Sequence, residues 1–114
     1  MDQVDKLSRY RQVLRQLVAH YAALLPRKEQ VETVPICDAE HDNYLLMRVS
    51  WEKTGRAHWT VFHLRLKDGK VWIEDVSLEH GIAQDLLDAG IHKQDIVLSF
   101  HRPERHHLTD FAVA

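Results

Sequence analysis

Residues 56–76, which read RAHWTVFHLRLKDGKVWIEDV, decide the fold of this chain. Aromatic and β-branched side chains fill both halves of the stretch, and such side chains are enriched in strands. Asp68 and Gly69 stand between the halves, and an Asp-Gly pair favours a type I′ turn because both turn positions need a positive φ. The stretch therefore predicts a β-hairpin.

Two more strands are predicted upstream of this hairpin. Residues 31–37 predict a short strand, and Pro35 inside it indicates an edge or a bulge because proline cannot donate to a ladder. Residues 44–52 alternate, and we expect the odd-numbered row to face the core. That row consists of Leu45, Met47, Val49 and Trp51. Regular alternation also predicts that His58 and His63 lie on opposite faces of their strand.

The N-terminal segment predicts a helix of about 22 residues. Its apolar side chains recur at spacings of three and four: Leu7, Tyr10, Leu14, Leu17, Val18, Tyr21, Leu24 and Leu25. Asp2 is the predicted N-cap and Pro26 the predicted stop. A second helix of about ten residues is predicted after Ser77 as N-cap, with Gly90 in the left-handed position beyond its end. Residues 96–98 predict a short strand.

These elements predict an α+β fold in a single domain, residues 1–114. A long N-terminal helix packs on an antiparallel β-meander of three to four strands, and a second helix and a short C-terminal strand follow. An antiparallel meander has edges that must be protected, so we also expect a homo-oligomer, most simply a dimer.

Composition excludes several classes of protein. The chain of 114 residues has one cysteine, Cys37, which rules out an intrachain disulfide and a multi-cysteine zinc site. Its charged start predicts no secretory signal, and its short apolar runs predict no membrane span. We therefore expect a cytoplasmic protein.

The net charge of −2 argues against a protein that coats nucleic acid by charge alone. This total hides blocks of +4 (1–28), −5 (29–47), +4 (48–72), −5 (73–100) and 0 (101–114), which could steer a partner or remain solvated faces.

No catalytic motif stands out. The serines lie outside any nucleophile elbow, the glycines form no phosphate-binding loop, and Asp38 beside Cys37 would raise the pKa of the thiol. His101, His106 and His107 cluster, but Arg102 and Arg105 in the same loop oppose a bound dication. The sequence therefore predicts no enzyme, no cofactor and no metal site, with an enzyme or a metal-binding site at this histidine-rich tail as a weaker alternative. Direct nucleic-acid binding remains an alternative, through Arg56, Arg65, Lys67 and Lys70.

Several short motifs, in order along the chain, resemble the XisI family, the fdxN-element excision controlling factors of cyanobacteria. They are Leu7-x2-Tyr10-Arg11-x2-Leu14, Val49-Ser50-Trp51, His63-x5-Gly69-Lys70-Val71-Trp72-Ile73, Glu79-His80-Gly81-Ile82-Ala83, Asp95-Ile96-Val97-Leu98-x-Phe100 and Pro103-x5-Thr109-Asp110-Phe111-Ala112-Val113-Ala114. Ser50 and Ser99 stand where the family commonly has glycine, and residues 74–78 depart from its usual polar turn. His106 and Leu108 stand where Arg and Tyr are expected.

The resemblance implies a small α+β protein without a known catalytic centre, associated with programmed excision of a DNA element. A separate recombinase cuts and rejoins the strands, and XisI proteins act with a second factor, XisH. We therefore expect a non-enzymatic regulator that binds an XisH-like protein and touches DNA only indirectly or weakly. An antitoxin-like restraint of a nuclease-like XisH partner and direct DNA binding are alternatives. The expected partner-binding residues are Arg102, Arg105, His106, His107, Thr109, Asp110 and Phe111.

Overall fold

A computed structural model describes residues 3–26, 29–53, 55–77 and 81–99. The chain runs through α1 (Gln3–Leu24), β1 (Val31–Asp38), β2 (Asn43–Glu52), β3 (Gly55–Lys67), β4 (Lys70–Val76), α2 (Ala83–Asp88), a 3₁₀ turn (Lys93–Asp95) and β5 (Ile96–Leu98). The strands form one sheet in the order β1-β2-β3-β4-β5. The first four are antiparallel neighbours and β5 joins β4 in parallel. The predicted α+β class is confirmed.

The hairpin between β3 and β4 closes as the sequence predicts. Asp68 has a φ of 54° and Gly69 a φ of 76°, so both turn residues take the left-handed conformation of a type I′ turn. Lys67 pairs with Lys70 across the turn. Pro35 lies in β1, which is an edge strand, as its missing donor predicts.

Helix α1 covers one face of the sheet and builds the core with it. Tyr10, Leu14 and Val18 of α1 are almost fully buried, as are Leu64 of β3 and Ile73 of β4. Beyond Leu24 the chain turns into Pro26, which cannot continue a helix. We call the opposite face of the sheet the outer face.

The expected inward row of β2 is wrong. Tyr44 and Leu46 are fully buried beneath α1, whereas Trp51 of the odd-numbered row is 61% exposed on the outer face. The odd-numbered row is the more apolar one, but Tyr44 and Leu46 give the even-numbered row two large apolar side chains, and these are the ones that pack in the core. The buried row also contains Arg48, which is accommodated because its guanidinium donates to the carbonyl of Pro26 just beyond α1.

His58 and His63 share the outer face, against the expectation from regular alternation. Leu46 pairs with Phe62 while Met47 pairs with Thr60, so Val61 is an extra residue in β3. A bulge of this kind shifts the alternation by one position. His58 therefore pairs with Val49, and His63 with Leu45, both on the outer row of β2.

The second helix is shorter than predicted and Ser77 does not cap it. Helix α2 has six residues and Ile82 at its N-cap. The hydroxyl of Ser77 instead donates to the carbonyl oxygens of Thr60 (3.0 Å) and Val61 (3.2 Å), which fastens the end of β4 to β3. Gly90 follows the helix with a φ of 98°, as predicted. The expected N-cap, Asp2, lies outside the described residues.

Candidate functional site

The candidate partner-binding residues of the C-terminal segment cannot be placed. Arg102, Arg105, His106, His107, Thr109, Asp110 and Phe111 all lie outside the described residues, as does His101. The candidate surfaces of the described chain are therefore the outer face of the sheet and the groove beside α1.

The four cations of the nucleic-acid alternative share the outer face but do not form one patch. Arg65, Lys67 and Lys70 lie around the β3–β4 turn, whereas Arg56 lies at the other end of β3. Three of them already have local partners: Arg65 Nη1 lies 3.5 Å from Glu74 Oε1, and Arg56 and Lys67 lie over the rings of Trp51 and Trp72.

The part of the outer face formed by β1 and β2 carries an apolar patch. Val34 and Ile36 of β1 lie beside Leu45 and Met47 of β2 in the strand register, and all four side chains keep some exposure. Ile36 is 37% exposed. The described core residues of α1 and α2 belong to a cluster on the other side of the sheet. A partly exposed apolar sheet face of this kind is typical of an interaction surface.

Charged side chains lie beside this apolar patch. Glu32 and Asp38 are on β1, while Arg65 and Lys70 are on β3 and β4. The register puts Asp38, Asn43 and Arg65 at one level along the strands. Glu74 and Asp75 also lie on β4, and Glu74 is close to Arg65, so the side with the cations carries acidic groups as well.

The second surface is a groove between α1 and the end of β1, with a cavity volume of about 740 Å³. Ser8, Arg11, Gln12, Arg15 and Gln16 line it from α1, and Cys37 lines it from β1. Their spacing of three and four residues gives α1 a polar stripe beside its buried one. Sequence reasoning missed this groove because its signal, a polar stripe at helical spacing, resembles any solvated helix face.

The two arginines of the groove differ in their contacts. Arg11 makes two hydrogen bonds to the carboxylate of Asp42, of 2.8 and 3.1 Å, and this pairing raises the pKa of the guanidinium further. Arg15 is exposed and makes no hydrogen bond or ion pair with any residue in the described ranges. Arg15 is therefore the cation of this groove that can meet an added anion.

Cys37 lines the groove but is not an activated thiol. Burial raises its pKa, although the nearby charge of Arg15 acts in the opposite direction. A raised pKa lowers the thiolate fraction, and the thiolate is the nucleophile. The sequence-based expectation of a raised pKa is thus matched in direction, with burial rather than Asp38 as the main cause.

Two of the described histidines, His41 and His63, make local side-chain contacts. His63 Nε2 lies 3.1 Å from Asn43 Oδ1, and burial lowers the pKa of the imidazole. His41 Nδ1 lies 2.9 Å from Asp38 Oδ2 on the exposed β1–β2 turn. Within residues 3–26, 29–53, 55–77 and 81–99, no three metal-ligating side chains come together. No described helix is long and apolar enough to cross a membrane.

Comparison with known proteins extends over almost the whole chain. The family model described as XisI protein matches residues 4–113. A crystal structure of a XisI-like protein from Anabaena variabilis ATCC 29413 superposes with a TM-score of 0.88 at 30% identity, covering 99% of this chain and 100% of that one.

A second crystal structure, of the fdxN element excision controlling factor XisI from the same organism, gives a TM-score of 0.82 at 33% identity. It covers 96% of this chain and 99% of the other. No significantly similar sequence is found among curated proteins. The sequence motifs, the fold and these matches agree that the chain belongs to the XisI family.

Proposed function

We propose that this chain is a non-enzymatic accessory protein that controls site-specific excision of a DNA element by binding an XisH-like protein. The match to a protein named an fdxN element excision controlling factor, over nearly the full length of both chains, carries the proposal. A raised thiol pKa at Cys37 and histidines held in local contacts support action through binding. A free cysteine suits the reducing cytoplasm, where we place the protein.

The distribution of the outer-face cations favours a protein partner over DNA. Affinity for a phosphate backbone grows with the number of phosphates that lysine and arginine side chains neutralise together, because each such contact releases counter-ions from the nucleic acid. Arg56 lies at the opposite end of β3 from Lys67, and Arg65 is already close to Glu74. Direct DNA binding is therefore the second candidate, and it predicts a linear fall of log affinity with log salt concentration.

Co-expression with the XisH-like protein of the same genome tests the proposal. The proposal predicts co-purification of the two proteins and a changed frequency of the excised junction in cells that lack this chain. Growth arrest by the XisH-like protein alone, relieved by this chain, would identify the antitoxin-like form of the same function. Excision that continues unchanged in the absence of this chain would count against control of excision.

We further propose that the chain forms a homodimer through the outer face of its sheet. A two-fold axis along the strands would stack β1 of one copy over β4 of the other, because β2 and β3 lie between them. Asp38 would then lie at the level of Arg65 and Trp72 of the second copy, since the register puts these positions at one level. Ile36 and Met47 would lose their exposure in the interface.

Light scattering after gel filtration tests the dimer. The proposal predicts twice the monomer mass of 13.4 kDa, and a return to 13.4 kDa when Ile36 is replaced by Asp. Leu24→Asp is the matched control, because Leu24 is 61% exposed on α1, on the other side of the sheet. A monomeric parent protein, or a dimer that Ile36→Asp leaves intact, would contradict this interface.

A further inference from the structure

We propose that the groove between α1 and β1 binds an extended acidic segment of a protein partner, which adds to the free edge of β1. The inference rests on the proposed function in one respect, that the chain acts by binding a partner. It adds the site on this chain and the chemistry of the segment that fits it.

The backbone of β1 offers a free edge at this groove. Trp51 N–H donates to Gln30 O, and these residues lie opposite each other at the start of the β1–β2 ladder. Opposed residues of an antiparallel pair alternate between bonded and non-bonded pairs. Val31, Thr33, Pro35 and Cys37 therefore turn their backbone groups away from β2, toward the free edge. An extended peptide can pair with such an edge by strand addition.

Pro35 removes one hydrogen-bond donor from this free edge and leaves the other donors available. Proline has no backbone N–H, and at position 35 this group would have faced outward, so the β1–β2 ladder keeps all its hydrogen bonds. A strand added from outside would find one donor fewer on β1. Thr33 and Cys37 on either side keep outward N–H groups. Proline at such positions protects an edge against unselective pairing. A partner strand therefore needs side-chain contacts in addition to backbone pairing, and the groove supplies them.

The groove selects for acidic side chains. Arg15 is exposed and keeps its full charge available, since Arg11 but not Arg15 is paired with Asp42. The amides of Gln12 and Gln16 lie beside it on the same stripe of α1 and can donate to carboxylate oxygens. Alternate side chains of an added strand point to one face, so every second residue would meet this stripe.

The same features favour a peptide over nucleic acid and over a second copy of this chain. The described residues that line the groove include no aromatic ring on which a base could stack. A second copy paired edge to edge across a two-fold axis would bring its own Arg15 to the same side of the joined sheet. Like charges placed together in this way are unfavourable.

Fluorescence anisotropy with a labelled peptide of about ten residues, a usual upper length for a strand, tests the site. The peptide alternates glutamate with threonine, and a matched peptide carries lysine in place of glutamate. We expect saturable binding of the acidic peptide to the whole chain and at least about tenfold weaker binding of the basic one. Equal binding of both peptides, or no binding of the acidic one at ~1 mM, would overturn the proposal.

Charge reversal locates the site. Arg15→Glu should weaken binding of the acidic peptide about tenfold, whereas Lys53→Glu, which makes the same charge change on the exposed β2–β3 turn, should not.

Pairing with the backbone of β1 is tested by Pro35→Val, which restores one outward N–H donor and should tighten binding. Side-chain contact alone would not give this gain in affinity. Slower amide exchange at Thr33 and Cys37 in the complex should accompany these effects. Unchanged affinity in Arg15→Glu, or equally tight binding of a single-stranded oligonucleotide, would overturn the assignment.

The peptide experiment and the proposed function can fail separately. If the XisH-like protein binds this chain and Arg15→Glu leaves that affinity unchanged, the groove is not the partner site and the proposed function stands. If the XisH-like protein does not bind at all, the proposed function fails, and the peptide titration still decides whether the groove takes an acidic strand.

Discussion

The hydroxyl of Tyr10 donates a 2.7 Å hydrogen bond to Oδ2 of Asp95, which lies 85 positions further along the chain. Nζ of Lys6 lies 2.9 Å from the same oxygen, and the backbone N–H of His92 donates to the Tyr10 hydroxyl. This contact fastens the first half of α1 to the turn that leads into β5. The second half is fastened in the same way, because Tyr21 donates to Asp85 of α2.

Replacement of Tyr10 by Phe removes the hydroxyl that donates to Asp95 and accepts from His92 N–H, and it keeps the fully buried ring. We expect the free energy of unfolding to fall by about 1.5–3 kcal/mol, as is usual for a hydrogen bond to a charged partner. Urea unfolding of Tyr10→Phe, Asp95→Asn and the double variant measures the coupling. Strictly additive losses would show that the two side chains do not interact.

The same contact makes the free energy of unfolding depend on pH in the acidic range. Burial alone would raise the pKa of Asp95, but hydrogen bonds from Tyr10 and Lys6 outweigh it and hold the pKa below its ordinary value. A carboxyl whose pKa is lower in the folded state contributes stability above its unfolded pKa of about 3.9, and this contribution is lost as the pH falls through the folded value. Urea unfolding across this range should show a smaller acid loss in Asp95→Asn. An identical pH profile in the variant would contradict the assignment.

Two neighbouring leucines of β2 test which row faces the core. Leu46 is fully buried and Leu45 lies on the outer face. We expect Leu46→Ala to lower the free energy of unfolding by about 2–5 kcal/mol, the usual cost of a large-to-small change in a core. Leu45→Ala should cost about 1 kcal/mol or less in the monomer. A larger loss of stability in Leu45→Ala than in Leu46→Ala would instead indicate that the odd-numbered row of β2 faces the core.

Two serines stand where the XisI family commonly carries glycine, and their surroundings differ. Ser99 Oγ donates a 3.0 Å hydrogen bond to Ile73 O. Ser50 is 5% exposed, and its Oγ finds no hydrogen-bond partner within the described ranges. An unsatisfied buried polar group costs about 1–3 kcal/mol, so Ser50→Ala should raise the melting temperature while Ser99→Ala lowers it. A loss of stability in Ser50→Ala would indicate a hydrogen-bond partner for its hydroxyl in solution.

The elements that the sequence predicted well are those fixed by local chemistry. The Asp68-Gly69 turn, the stop at Pro26 and the edge position of Pro35 each follow from the φ or the donor that one residue allows. The apolar stripe of α1 was also predicted well, because spacings of three and four residues are typical of one buried helix face. Leu24 is the exception, since it is 61% exposed.

The predictions that failed depended on long-range packing. The face of β2 depended on which row α1 covers, and both rows carry large apolar side chains. His58 and His63 lie on the same face of the sheet because Val61 is an extra residue in β3. No local sequence pattern predicts this bulge. Arg15 of α1 and Cys37 of β1 line the same groove, and only the folded chain brings these two distant residues close together.

Isothermal titration of this purified chain with the purified XisH-like protein of the same genome tests the central proposal most directly. We expect saturable heat and a dissociation constant of about 1 μM or tighter, the affinity of a specific regulatory complex. Arg15→Glu and Lys53→Glu serve in the same titration as the groove variant and its charge-matched control. No heat and no complex by gel filtration at ~100 μM, with both proteins folded, would contradict the account.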